Sequence, residues 1–203
     1  KDFKYIKEEI IDLYKNKKVY KFLHLPVQSG SNKVLKDMRR LYTIEEAKDI
    51  IKKFRDNFPK ITIATDLITG YPTEKNADHK LTLDFIKEIR PDVLNLSKFS
   101  KHKNTPAENL KEISISIINE RNKEIMNIHR KTAYENKIKF LNKETKVFVN
   151  KKISNNLYEA RDENYNIVLV NSEDKILGKE LEIKITNAGV HHMMGEKYNS
   201  KHS

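Results

Sequence analysis

Gln28, Ser29, Gly30 and Ser31 form a run of small polar residues directly after an apolar segment, Val19, Phe22, Leu23 and Leu25, which Pro26 closes. Amide and hydroxyl groups there can hold the polar atoms of a small ligand, because strands of a parallel sheet or barrel open on a common mouth at their carboxyl ends. Ser31 is also placed to cap a short helix that carries Val34, Leu35 and Met38 on one face. Asp66 is the second chemical signal, inside the otherwise apolar run ITIATDLI over 61–68. A carboxylate on a strand buried on both faces needs a partner or a purpose, so it serves a site or caps the turn that follows. Histidines offer less. His24 reads as a packed core residue among apolar neighbours, and His191 and His192, adjacent on one strand, point to opposite faces and cannot chelate one ion. No metal site is expected.

The 203 residues contain no cysteine, which removes disulfides, thiolate nucleophiles and cysteine-ligated clusters from what this chain can build by itself. No apolar run reaches the length of a membrane span and no secretory core opens the chain, so a soluble cytoplasmic protein is expected. The formal charge of +11 favours a polyanionic partner over a merely solvated surface. Between Lys98 and Lys143 eleven basic residues face five acidic ones, so the positive field is concentrated in the middle of the chain.

The elements that must position these residues follow from periodicity. Phe3, Ile6, Ile10 and Leu13 mark an opening helix. Thr43 and Glu46 make a capping box ahead of Ala47, Ile50, Ile51 and Phe54. Leu81, Phe85, Ile86 and Ile89 mark another helix, and a third strand, DVLNLS, leads through a basic loop to a long helix over about 116–137. Strands near 19, 61 and 93, separated by helices, predict right-handed parallel βα units. Three units are too few to close a barrel. After Lys137 short β-rich runs, TKVFVN, LYEAR, IVLV, ELEIKIT and VHHMM, alternate with polar turns and predict a small antiparallel OB-like barrel. Met193 and Met194 are expected in its core. Tyr158, Tyr165 and Phe148 either stack on bases or fill that core.

The ordered blocks HLPVQSGSNKVLKDMRRLYT, ITIATDLITGYPTE, PDVLNLSKFS and NTPAE resemble the C-terminal half of the radical-SAM tRNA methylthiotransferases. The GYPTE turn and HHMMGE are most similar to the archaeal and eukaryotic branch that acts on threonylcarbamoyladenosine beside the anticodon. The resemblance implies an α/β fold: residues 1–137 as the C-terminal half of a radical-SAM TIM-like barrel with its connecting helix, 138–197 as a TRAM domain, and 198–203 as a frayed tail. It implies S-adenosylmethionine as cofactor and transfer RNA as partner. It also implies [4Fe–4S] clusters on a cysteine-bearing N-terminal half that this chain does not contain. On that reading the chain is a split subunit, a fragment or an inactive descendant, and is inactive alone. The alternative is a non-catalytic RNA-binding adaptor.

Carried over by position, Gln28, Ser29, Arg40, Asp66, Gly70 and Asn95 are the expected cofactor contacts, with Arg40 holding a carboxylate in a two-pronged pair or else bridging to a surface glutamate. Lys101, Lys103, Arg130, Lys151, Lys152 and Arg161 are the expected RNA contacts. Two departures from the family pattern stand out. TEKNADH replaces acids at a helix N-terminus with Lys75 and Asn76 and a packing aromatic with His79, which should weaken that helix. SKHKNTPA replaces a rigid turn near the mouth with positive charge.

Overall fold

In a computed structural model, described for residues 8–103, 105 and 107–198, apolar period divides the chain into an α/β part and an all-β part. The first part runs α1 (Glu8–Tyr14), β1 (Phe22–His24), α2 (Asn32–Asp37), α3 (Ile44–Asn57), β2 (Thr62–Thr69), α4 (Asn76–Ile89), β3 (Val93–Lys98) and α5 (Ile115–Ile138). Phe3 and Ile6 of the expected opening helix lie outside the described residues. The three strands form one parallel sheet in the order β1-β2-β3, as the helical crossovers require. β1 is shorter than its apolar run: Val19 turns back to donate to the Asn16 carbonyl, and Pro26 has no N–H for the ladder.

Alternation sorts the strand residues. Leu23, Ile63, Leu67, Leu94 and Leu96 pack against Ala47, Ile51 and Phe54 of α3 and Phe85, Ile86 and Ile89 of α4 in one core cluster. Each fully buried side chain of this size contributes about 1.5–3 kcal/mol. The residues between them, His24, Ala64, Asp66 and Asn95, turn to the opposite, concave face. α3 starts at the capping box read from the sequence: Thr43 Oγ1 accepts from Glu46 N at 3.3 Å and Glu46 Oε2 accepts from Thr43 N at 2.8 Å. α4 is better anchored than its composition suggests. Asp78 accepts from Lys75 N at 2.9 Å and Asn76 Oδ1 from Arg121 at 2.9 Å, while His79 Nε2 meets Glu124 at 2.7 Å. The unusual residues are therefore used as partners.

The second part contains β4 (Glu144–Lys152), β5 (Leu157–Asp162), β6 (Ile167–Asn171), β7 (Glu180–Ala188) and β8 (Met193–Lys197), closed in the order β4-β5-β6-β8-β7. The expectation of a wholly antiparallel barrel is corrected at one pair, since β6 and β8 run parallel. A closed ring with an odd number of strands cannot alternate direction throughout. Val147, Val149, Tyr158, Ala160, Val168, Val170, Ile183, Ile185 and Met193 fill the interior. Met194 is only partly buried and does not join them. Gly195 lets β8 close on β7, because a Cβ there would sit 2.1 Å from Ile183 Cγ2. His191 and His192 precede β8 and are exposed, which corrects their placement on the strand. Tyr198 donates its N–H to Glu182; the rest of the expected frayed tail lies outside the described residues.

The β5–β6 turn joins the parts. It meets the amino ends of β1 and β2: Lys21 N donates to Glu163 O at 2.8 Å, Thr62 Oγ1 donates to Asn166 Oδ1 at 3.3 Å, and Tyr165 packs edge-on against Tyr20 and Phe22. Lys137 of α5, 4 % exposed, donates to Asn166 Oδ1 at 2.6 Å and lies 3.9 Å from Asp92. Burial pushes the Lys137 ammonium down and the Asp162 carboxyl up. His129 is also buried in this seam; among the described residues neither ring nitrogen has a partner of good hydrogen-bond geometry, and burial lowers its pKa against a weaker upward pull from the nearby Asp92 backbone.

Replacing Lys137 by Met should strip Asp92 and Asn166 of their buried cation and cost about 3–5 kcal/mol, whereas the exposed Lys123→Met should stay within about 0.5 kcal/mol. Urea unfolding measures both, and equal midpoints would deny the seam its role. A histidine held below its unfolded pKa of about 6.5 protonates first in the unfolded chain, so stability is intact above that pH and falls as pH drops through it. His129→Leu should flatten this slope when urea midpoints are compared at about pH 7.5 and 5.5.

Candidate functional site

The loop after β1 reaches the mouth at the carboxyl ends of the strands, and its backbone continues the ladder. Gln28 N donates to Asp66 O at 2.8 Å and Gln28 O accepts from Ile68 N at 2.9 Å, with Gln28 held at φ 75. Its side chain turns back to donate to Pro26 O at 3.2 Å. Ser29 is 2 % exposed and its Oγ accepts from Ser31 N, while Ser31 Oγ donates to Asp78 at 2.7 Å. Gln28 and Ser29 thus stand at the mouth with polar atoms engaged inside the loop.

Asp66 has both a partner and an open setting. Its Oδ1 accepts from Asn95 Nδ2 at 2.8 Å and meets His24 Nε2 at 2.8 Å, so the imidazole carries its proton on Nε2. All three side chains lie on the concave face, one per strand. The expectation that His24 belongs to the core is corrected: its side chain is 44 % exposed. The signal was available, since Leu23 and Leu25 take the helix-facing side and the residue between them must face the other.

Arg40 lines a cavity of about 550 Å³ with Met38, Ile68, Tyr71, Phe99 and His102. Tyr71 and Phe99 meet edge to face at 5.2 Å, and the buried Arg40 Nε has no hydrogen-bond partner among the described residues. An amphipathic wall beside an unused guanidinium N–H suits a ligand that carries a carboxylate. Gly70 adopts φ 79, and a Cβ there would lie 2.5 Å from Ile118 Cδ1, so the group that approaches it closely is α5. Sequence reading missed the device that holds this turn. Glu74 Oε2 accepts from Gly70 N at 2.9 Å and from Arg121 at 2.8 Å, and both ion-pair side chains are under one-tenth exposed.

The expected RNA contacts divide. Lys101, Lys103, Arg130, Lys151 and Lys152 are exposed. Arg161 is not free: it donates to Glu159 at 2.9 Å and to Tyr165 O at 3.0 Å, and its guanidinium stacks 4.3 Å from the Tyr165 ring. Tyr158 is 2 % exposed and belongs to the barrel core; Phe148 is exposed. Among the described residues no helix is long and apolar enough to cross a membrane, and no cluster of acids and histidines could hold a metal ion.

A three-stranded parallel βα sheet with a polar concave face is thus followed by a closed five-stranded barrel, and comparison with known proteins places the first part among radical-SAM-like folds. Residues 3–86 match the radical SAM superfamily. The fold is similar to that of coproporphyrinogen III oxidase (HemN) from Escherichia coli, with a TM-score of 0.54 at 18% identity over 66% of this chain and 31% of that one. The chain is a relative of the tRNA methylthiotransferases of the radical-SAM class. It is 36% identical, over 93% of its length, to the probable threonylcarbamoyladenosine tRNA methylthiotransferase of Archaeoglobus fulgidus, and 34% identical over 93% to the Xenopus laevis threonylcarbamoyladenosine tRNA methylthiotransferase. Against the tRNA-2-methylthio-N(6)-dimethylallyladenosine synthase of Dictyoglomus thermophilum it is 37% identical over 88% of its length, covering 41% of that protein. The chain spans 44% of the archaeal relative and 34% of the Xenopus one.

Two groups implied by this family fit differently. A cluster finds no thiolate in these 203 residues. S-adenosylmethionine fits these donors in kind, its carboxylate matching the unpartnered Arg40 Nε and its hydroxyls the exposed Asn95 and the half-buried Asp66.

Arg121→Met should leave Glu74 buried without its cation and lower stability by about 3–5 kcal/mol. Proteolysis inside residues 70–75 should accelerate in parallel; unchanged cleavage and stability would show that the pair does not hold the turn.

Proposed function

We propose that this chain supplies the C-terminal part of a tRNA methylthiotransferase that places a methylthio group on C2 of threonylcarbamoyladenosine beside the anticodon. It acts in the cytoplasm, together with a cysteine-bearing N-terminal half. The observation that carries this reading is the likeness to the archaeal enzymes over nearly the whole chain, in a parallel half-barrel whose concave face is polar and accessible.

S-adenosylmethionine, when bound, supplies the radical initiator and the transferred methyl group. This chain's residues bind and orient. Arg40 pairs with the cofactor carboxylate through its free Nε–H, and Asn95 and Asp66 present an amide and a carboxylate to hydroxyls on the concave face. His24 fixes the Asp66 carboxylate from the neighbouring strand. Tyr71, Phe99 and Met38 shield the cavity from water. The Glu74–Arg121 pair keeps the turn after β2 in place beneath these groups. Lys101, Lys103, Lys151 and Lys152 draw in the RNA as phosphate contacts.

Purification from native cells under anaerobic conditions should recover a cysteine-rich protein and brown colour with this chain, and only the pair should cleave S-adenosylmethionine. In that complex Arg40→Ala should weaken S-adenosylmethionine binding by about tenfold, the loss of one charge-assisted pair. Recovery of tRNA without a cysteine-bearing companion would replace this reading by the adaptor.

A further inference from the structure

At the end of the sheet opposite the mouth, where α3, α4 and α5 finish and β4 begins, a cleft of about 370 Å³ is lined by Arg55, Lys60, Arg90, Asp92, Lys139 and Lys143. Its cations are not matched by its acids. Asp92 is already engaged, accepting from Ile63 N at 2.9 Å and from Asn136 at 3.1 Å, with Lys137 at 3.9 Å. Arg90 pairs with Glu135 at 2.6 Å, and Arg55 donates to the Arg90 carbonyl at 3.1 Å. Lys60, Lys139 and Lys143 are exposed and have no acid within 4 Å among the described residues, although the Glu135 carboxyl, held down chiefly by Arg90, also feels Lys139.

Helix ends by themselves do not account for these lysines. The negative ends of α3, α4 and α5 already have Arg55, Lys87 and Lys137 in their last turns. Three more ammonium groups gathered around one concave seam repel one another, and an anion held between them would relieve that repulsion. The eight residues of β2 separate this cleft from the mouth by about 26 Å at 3.3 Å per residue. A nucleotide seated at the mouth cannot reach it, but a folded RNA can.

We propose that this seam cleft binds backbone phosphates of the RNA whose target base occupies the mouth, through Lys60, Lys139 and Lys143. The inference rests on the RNA-binding reading above and adds a contact on the α/β part, apart from Lys151 and Lys152 at the far end of β4. Because the phosphate is diester and distant from the reacting base, the contact serves long RNA and not mononucleotides.

Binding of a full tRNA transcript and of a short loop oligonucleotide is measured against salt for the whole chain, for Lys60→Ala/Lys139→Ala/Lys143→Ala, and for a control, Lys36→Ala/Lys53→Ala/Lys80→Ala, that removes the same charge elsewhere. The seam variant should bind tRNA at least about tenfold more weakly, with a salt slope shallower by about 2 to 3, and bind the short RNA unchanged. Amine acylation read by mass spectrometry needs no variant, and bound tRNA should protect these three lysines. Equal weakening by the control, equal loss on the short RNA, or no protection would overturn the seam contact while leaving the RNA-binding reading in place. Failure of the unaltered chain to bind any tRNA would remove that reading itself.

Discussion

One buried ammonium group stands at the centre of the contacts that join the two parts of this molecule. Lys137 extends from the last turn of α5 into a seam where Asp92 from the α/β part and Asn166 from the β-barrel both face it. Asn166 also donates to Asp162 at 2.9 Å, and Asp162 in turn accepts from two backbone N–H groups of its own turn. Burying such charges is costly, which is why both titration directions tend toward the neutral forms. The arrangement persists because each oxygen finds a donor. Its value is directional: with the Lys21–Glu163 and Thr62–Asn166 hydrogen bonds, a charge with named partners favours one docking pose more strongly than hydrophobic packing alone.

That pose places the β-barrel beneath the sheet, against the amino ends of β1 and β2, and leaves the carboxyl ends free. The polar groups of the mouth and the β-barrel therefore lie at opposite ends of the same strands. The mouth is organised by a different buried pair, Glu74 with Arg121, which ties the turn after β2 to the same long helix. α5 thus links both ends. It contacts the mouth through Arg121 and Ile118 and the seam through His129 and Lys137, so movement at one end is resisted at the other.

The local features were legible in the sequence because local interactions make them. The capping box at Thr43 and Glu46, the double-sided strand around Ile63 and the long helix need only neighbours a few residues apart. The closed barrel was legible as five runs, although the parallel β6–β8 pair follows from ring closure and not from any one run. Part of what escaped depends on separation. Arg121 meets Glu74 across 47 positions, and Thr62 meets Asn166 across 104, with nothing in either neighbourhood to announce the partner. Arg161 looks like any surface arginine until Glu159 and Tyr165 are seen to occupy it. His24 was a different error, since strand alternation alone assigns it to the concave face.

The three-stranded sheet has two edges and a concave face that the α/β part does not cover. Its edges are β1, blunted by being only three residues long, and the six-residue β3, which ends in Lys98. Its concave face carries a histidine, an aspartate and an asparagine that satisfy one another across three strands. A closed barrel normally fills this space with branched aliphatic layers, and such a face left open would be a sticky apolar patch. Here the polar trio makes the face wettable. Its side chains exchange water for one another, and the core on the helix side carries the packing.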